Sequence, residues 1–96
     1  MNDMPGGRED GDETIIEFPC RFPIKAMGRH ESEFEAHVLQ IISPHVDDIA
    51  PEDVVVRSSS KGKFLAVTVT IDARSQGHLD RVYRNLTASE RILYVL

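Results

Sequence analysis

Apolar and polar positions alternate along the chain from Phe22 to Gly28. Phe22, Ile24 and Ala26 fall on one side, and Pro23, Lys25 and Met27 on the other, which is the period of a β-strand. Pro23 has no N–H to give a ladder, so regular pairing is expected from about Ile24, or with a bulge at that point. Gly28 ends the strand and permits a sharp turn. The period then lengthens. Over Ser32–Ser43, Phe34, Val38, Ile41 and Ile42 recur at helical spacing, Ser32 and Glu35 have the spacing of a capping box, and Pro44 stops the helix. Val54–Ser58 is a β-branched strand. Phe64–Ala73 alternates most clearly, with Leu65, Val67, Val69 and Ile71 on one face and Phe64, Ala66, Thr68 and Thr70 on the other. A second helix spans Ser75–Thr87, with Ser75 as N-cap and a stripe of Leu79, Val82, Tyr83 and Leu86. Arg91–Leu96 is a closing strand, expected to turn Ile92, Tyr94 and Leu96 to the core.

The element order is β-α-β-β-α-β. Two right-handed crossovers sharing a hairpin predict an α+β ferredoxin-like sandwich. Its four-stranded antiparallel sheet should run in the order 4-1-3-2, with both helices on one face.

That arrangement leaves the other sheet face uncovered. Met27, Val55, Phe64, Ala66, Leu93 and Val95 are expected there, beside Lys25, Thr68 and Thr70. Burying the larger apolar groups would yield about 1–2 kcal/mol each, and an apolar face of this kind marks an interface. Met27, Val55, Phe64, Leu93 and Val95 are therefore the candidate interface residues, for a second copy or a protein partner. A second candidate is the turn Gly28, Arg29, His30, where backbone amides at a helix start and a guanidinium could hold a carboxylate of a small ligand.

The link "SSKGK" between the second and third strands reads as a hairpin tip. It is not a phosphate loop: Gly62-Lys63 is followed by Phe64 and a strand, and the upstream glycine is missing. An RNA-recognition motif shares the element order, and Lys61-Gly62 matches the start of its aromatic motif. The next aromatic positions, however, are Lys63 and Leu65, and the first strand offers no stacking ring. His30, His37, His45 and His78 have no ligand spacing, so neither a metal nor a cofactor is expected, and these side chains read as solvated or boundary histidines. No motif gathers a catalytic set, so the expectation is not an enzyme.

Composition refines this picture. The 96 residues suffice for one domain, and the formal net charge is −5. Residues 1 to 17 hold six of the 16 acids and one of the 11 bases, so the acidity sits at the front and the rest is balanced. Residues 1 to 14, with Gly6, Gly7 and Gly11, are expected to be a disordered acidic tail, and residues 15 to 96 the folded domain. A neutral body argues against nucleic acid and against an anionic membrane. No apolar run is long enough to cross a bilayer, and the lone Cys20 fits a cytoplasmic setting.

"EFPCRFPIKAMG", "VVRSSSKGKFLAVTVTIDA" and the closing "ILYVL" resemble the YbeD-like family of small bacterial proteins of unknown function, over about residues 17 to 96. The hairpin motif Ser59, Ser60, Lys61, Gly62, followed by Phe64, carries most of the resemblance. Pro23 and the acidic tail depart from it. The resemblance implies an ACT-like variant of the ferredoxin-like fold. ACT domains are regulatory modules that bind small ligands and commonly pair, with ligands near the first strand–helix turn, here Gly28 and its neighbours. The family carries a provisional label of lipoate-associated regulator. The expected function is a non-enzymatic regulatory module that binds a small ligand, a protein partner or both. The alternatives are a purely structural protein-interaction module and, third, an RNA binder.

Overall fold

The computed structural model describes residues 16–96. The expected acidic tail lies outside the described residues. Strand β1 (Cys20–Arg29) leads to helix α1 (Phe34–Ile42) and short 3-10 turns at Ser43–His45 and Pro51–Asp53. Strands β2 (Val54–Ser58) and β3 (Phe64–Ala73) form the hairpin, followed by α2 (Gln76–Thr87) and β4 (Ile92–Val95). The sheet order is β2-β3-β1-β4, antiparallel throughout, which is the expected 4-1-3-2 order read from the other edge. Phe34, Val38 and Ile42 of α1 and Leu79, Val82 and Leu86 of α2 pack on Ile24, Ala26, Val67, Val69 and Ile71, so one sheet face carries the core.

Pro23 proves compatible with a regular strand. β1 pairs with β3 without interruption, from Cys20 opposite Ala73 to Arg29 opposite Phe64. Lys25 exchanges both backbone bonds with Leu96, on the β4 side. Residue 23, two positions earlier, turns its nitrogen to that same side, where no described residue of β4 is paired with it. Its missing N–H therefore costs the sheet nothing.

Three expectations need correction. The capping box at Ser32 and Glu35 is not made. Glu33 adopts the left-handed conformation (φ 66°) and α1 begins at Phe34 without a side-chain cap, so Ser32 falls outside the helix. Gly28 is not a turn glycine. It lies inside β1 between Leu65 and Ile92, and a Cβ there would collide with the Phe34 ring and the Arg91 carbonyl. The glycine is required by close approach rather than by backbone conformation.

The third correction is the phase of β4. Ile92 pairs with Gly28, but Tyr94, not Leu93, pairs with Met27, so a bulge inserts one residue. Beyond the bulge the alternation flips. Val95, expected on the open face, lies opposite Ala26 and packs against the core. Tyr94 and Leu96, expected in the core, are exposed instead, and Tyr94 lies on the open face opposite Met27.

Candidate functional site

The open sheet face is built around Phe64, the first residue of β3, with Met27 on β1 and the Leu93–Tyr94 bulge on β4. Phe64 is 39% exposed, Leu93 52% and Tyr94 51%. Met27, Ser59, Phe64, Leu93 and Tyr94 enclose a cleft of about 390 Å³. A smaller one of about 180 Å³ lies on the other flank of Phe64, toward Arg57 and Ala66. Cross-strand pairing sets cations at the border, with Arg29 opposite Phe64, Arg57 opposite Ala66 and Lys25 opposite Thr68. Val55, 44% exposed, continues the apolar surface onto β2.

The expected interface residues Met27, Val55, Phe64 and Leu93 thus share one face, while Val95 does not. Tyr94 takes its place. Sequence periodicity could not find Tyr94, because the one-residue bulge at Leu93 that turns it outward leaves no mark in the local alternation.

The turn Gly28, Arg29, His30 is brought against the hairpin tip. The His30 N–H donates to the Lys63 carbonyl (2.8 Å), and its Nδ1–H donates to the Gly62 carbonyl (2.9 Å). Space over Gly28 is occupied by the Phe34 ring. Arg29 is exposed on the open face and, among the described residues, forms no ion pair.

The hairpin motif has a structural account. Gly62 N–H donates to the Ser59 carbonyl (2.9 Å), and Gly62 takes the left-handed conformation (φ 71°) that a glycine accepts without strain. The Ser59 hydroxyl accepts the N–H groups of Lys63 and Phe64, each at 3.2 Å. Ser60 and Lys61 form the exposed tip.

The histidines differ in their surroundings. His78, expected at a boundary or in solvent, is buried at 1% exposure. Its Nδ1 accepts the Arg74 N–H (3.0 Å), so the ring proton sits on Nε2 and donates to the His45 carbonyl (2.6 Å). His37 Nε2 lies 2.7 Å from Ser89 Oγ, joining α1 to the turn before β4. Burial, and secondarily the Arg91 charge, lowers the His37 pKa. Among the described residues no group of three or more His, Cys, Asp or Glu is placed to hold a metal ion, and no helix is long and apolar enough to cross a membrane.

The family model for a protein of unknown function, DUF493, matches residues 13–96. The chain belongs to the DUF493 family. A UPF0250 protein of Chromobacterium violaceum is 42% identical over 87 residues, covering 91% of this chain and 98% of that one. A UPF0250 protein of Neisseria gonorrhoeae is 41% identical, with 86% and 91% covered. The YbeD-like resemblance is consistent with this assignment. The DUF493 chain also superposes on the solution structure of a protein from H. pylori (TM-score 0.73, 11% identity, covering 100% of this chain and 98% of the other). It superposes likewise on the ACT domain of the GTP pyrophosphokinase of Chlorobium tepidum (TM-score 0.60, 15% identity, covering 80% and 97%). At such identities the likeness is one of fold, and the fold of this DUF493 member is ACT-like.

Proposed function

We propose that this DUF493 protein is a non-enzymatic regulatory module that acts by binding, with the open sheet face around Phe64 as its working surface. The observation that carries the reading is the cleft of about 390 Å³ between Phe64, Met27, Leu93 and Tyr94, on the face that neither helix covers. Its volume falls within the roughly 300–1,000 Å³ range of small-ligand sites, and its walls are largely apolar. Arg29 and Arg57 at the border favour a ligand that carries an anionic group.

A thermal-shift panel of amino acids and lipoate tests the small-ligand reading, with Phe64→Asp as control. A rise in wild type that the variant loses supports it, and a flat response across the panel removes it.

A protein partner or second copy on the same face is the second reading. It is favoured by the exposed Leu93, Tyr94 and Val55, which extend the apolar surface beyond the cleft. Sedimentation across concentration tests self-association, and Leu93→Asp should abolish any dimer seen. A monomer at all concentrations removes the second copy as occupant.

A further inference from the structure

We infer that the free edge of β2 receives an extended, basic segment of a partner protein, whose basic side chains lie in the groove between α1 and the sheet. Among the described residues, β2 pairs on one side only, with β3. Ser59 donates its N–H to the Phe64 carbonyl, so Arg57 and Val55, of the same parity, bond inward to β3. Val56 and Ser58 turn their N–H and C=O groups to the open edge. Protected edges carry charged side chains, proline or a bulge; this strand reads Val-Val-Val-Arg-Ser, with one charge, Arg57, and with Val55 and Val56 44% and 38% exposed. It has the features of an edge that accepts another strand.

The helix-side flank of this edge has its own chemistry. Two cavities of about 660 and 370 Å³ run along α1 and share Glu35, Ala36 and Leu39. Leu39, Val54 and Leu65 give the groove an apolar floor, and Val56 lies on the same sheet face, opposite the buried Val67. The walls carry Glu31, Glu33, Glu35, Asp47 and Asp48, and no Lys, Arg or His lines either cavity. Glu31 also contacts Arg91 at 3.5 Å.

Charge selects the occupant. A second copy would bring the same carboxylates to the same groove, and the acid-rich first 17 residues of this chain have the same sign, so both are repelled. A lysine or arginine stem can cross the apolar floor while its cation reaches the walls. Residues of the incoming strand on the opposite side would lie beside Val55 and Arg57, where apolar side chains suit Val55 and a cation would be repelled by Arg57. The matching pattern is strict alternation of basic and apolar residues, and a slip by one position would reverse it.

The test is a titration of the isotope-labelled full-length protein with a synthetic peptide of about ten residues alternating Lys and Val, and with its Glu-for-Lys counterpart. The Lys peptide should shift the Val56 and Ser58 amides, raise their exchange protection about tenfold or more, and move the methyls of Leu39 and Val54. The Glu peptide should do none of this. Glu35→Lys with Asp48→Lys should weaken the Lys peptide about tenfold or more. Val56→Pro removes an edge N–H that the native ladder does not use, and should abolish the protection. Equal response to both peptides, undiminished binding to Val56→Pro, or shifts confined to Phe64, Leu93 and Tyr94 would each overturn the proposal. Because the open sheet face reports through other residues, failure here is distinct from failure of that surface.

Discussion

His30 reaches across from the end of β1 and donates its Nδ1–H to the Gly62 carbonyl at 2.9 Å, while its backbone N–H donates to Lys63 at 2.8 Å. The side chain and backbone of one residue therefore hold the β2–β3 hairpin tip against the first strand–helix turn. Phe64 follows directly, so the same pair of bonds fixes the start of the apolar open face.

His30→Ala should cost about 0.5–1.5 kcal/mol, the net value of one exposed hydrogen bond at most. Its more diagnostic effect should be local. Amide exchange at Ser60 through Lys63 should accelerate, while amides of Val67 and Val69 in the core keep their protection apart from the global change. Uniform acceleration across the sheet would contradict this.

Gly28→Ala should destabilise strongly although alanine is a small change. The added Cβ meets both a ring and a backbone carbonyl, and the carbonyl is that of Arg91, immediately before β4 and its Ile92 pairing with Gly28. Overpacking of this kind costs about 1–3 kcal/mol, with more expected where backbone must move. Urea unfolding gives the magnitude, and the fluorescence or ring-proton shifts of Tyr94 report whether the bulge has moved.

His78→Leu keeps most of the buried volume but leaves the Arg74 N–H and the His45 carbonyl without this partner. A loss of about 1–3 kcal/mol is expected for buried groups left unsatisfied. Arg74 Nη2 also donates to His45 O (3.4 Å), so each single variant leaves that carbonyl one donor, and Arg74→Ala combined with His78→Leu should be more than additive. Denaturant midpoints of the two single variants and the double variant decide the matter.

His37 should make stability pH-dependent. Its folded-state pKa lies below the ordinary 6.5 because burial disfavours the imidazolium, and the Arg91 charge adds to this. As pH falls through 6.5 the unfolded chain takes up the proton first, so the unfolded state binds more protons and stability drops. The contribution is fully present above 6.5 and is lost as pH descends to the lowered folded value. The urea midpoint should fall between about pH 7.5 and pH 5.5 in wild type, and fall less in His37→Gln. Equal slopes in the two proteins would contradict the assignment.

Phe64, Met27, Leu93 and Val55 were legible as an outward set because period-two alternation is a local property and helix positions fix which sheet face is covered. The helical stripes of α1 and α2 were legible for the same reason. Val95 and Tyr94 exchanged places because a single inserted residue at Leu93 reverses every side chain after it, and no local pattern marks that insertion. His78 was misplaced because a polar residue beside an apolar stripe reads as a boundary. Its burial depends on two backbone groups, at Arg74 and His45, that lie far apart in sequence or outside the helix.

By itself the sequence determined the six elements, their order, the antiparallel α+β topology and the core residues of the two helices and of β1 and β3, His78 excepted. Those follow from periodicity, turn chemistry and the handedness of crossovers, all of which are local or general. Tertiary structure alone decided the phase of β4, the side of β1 to which Pro23 turns its nitrogen, the filling of the space over Gly28 by the Phe34 ring and the groove beside β2. Each depends on how closely two distant segments approach, and that distance is set by packing rather than by pattern.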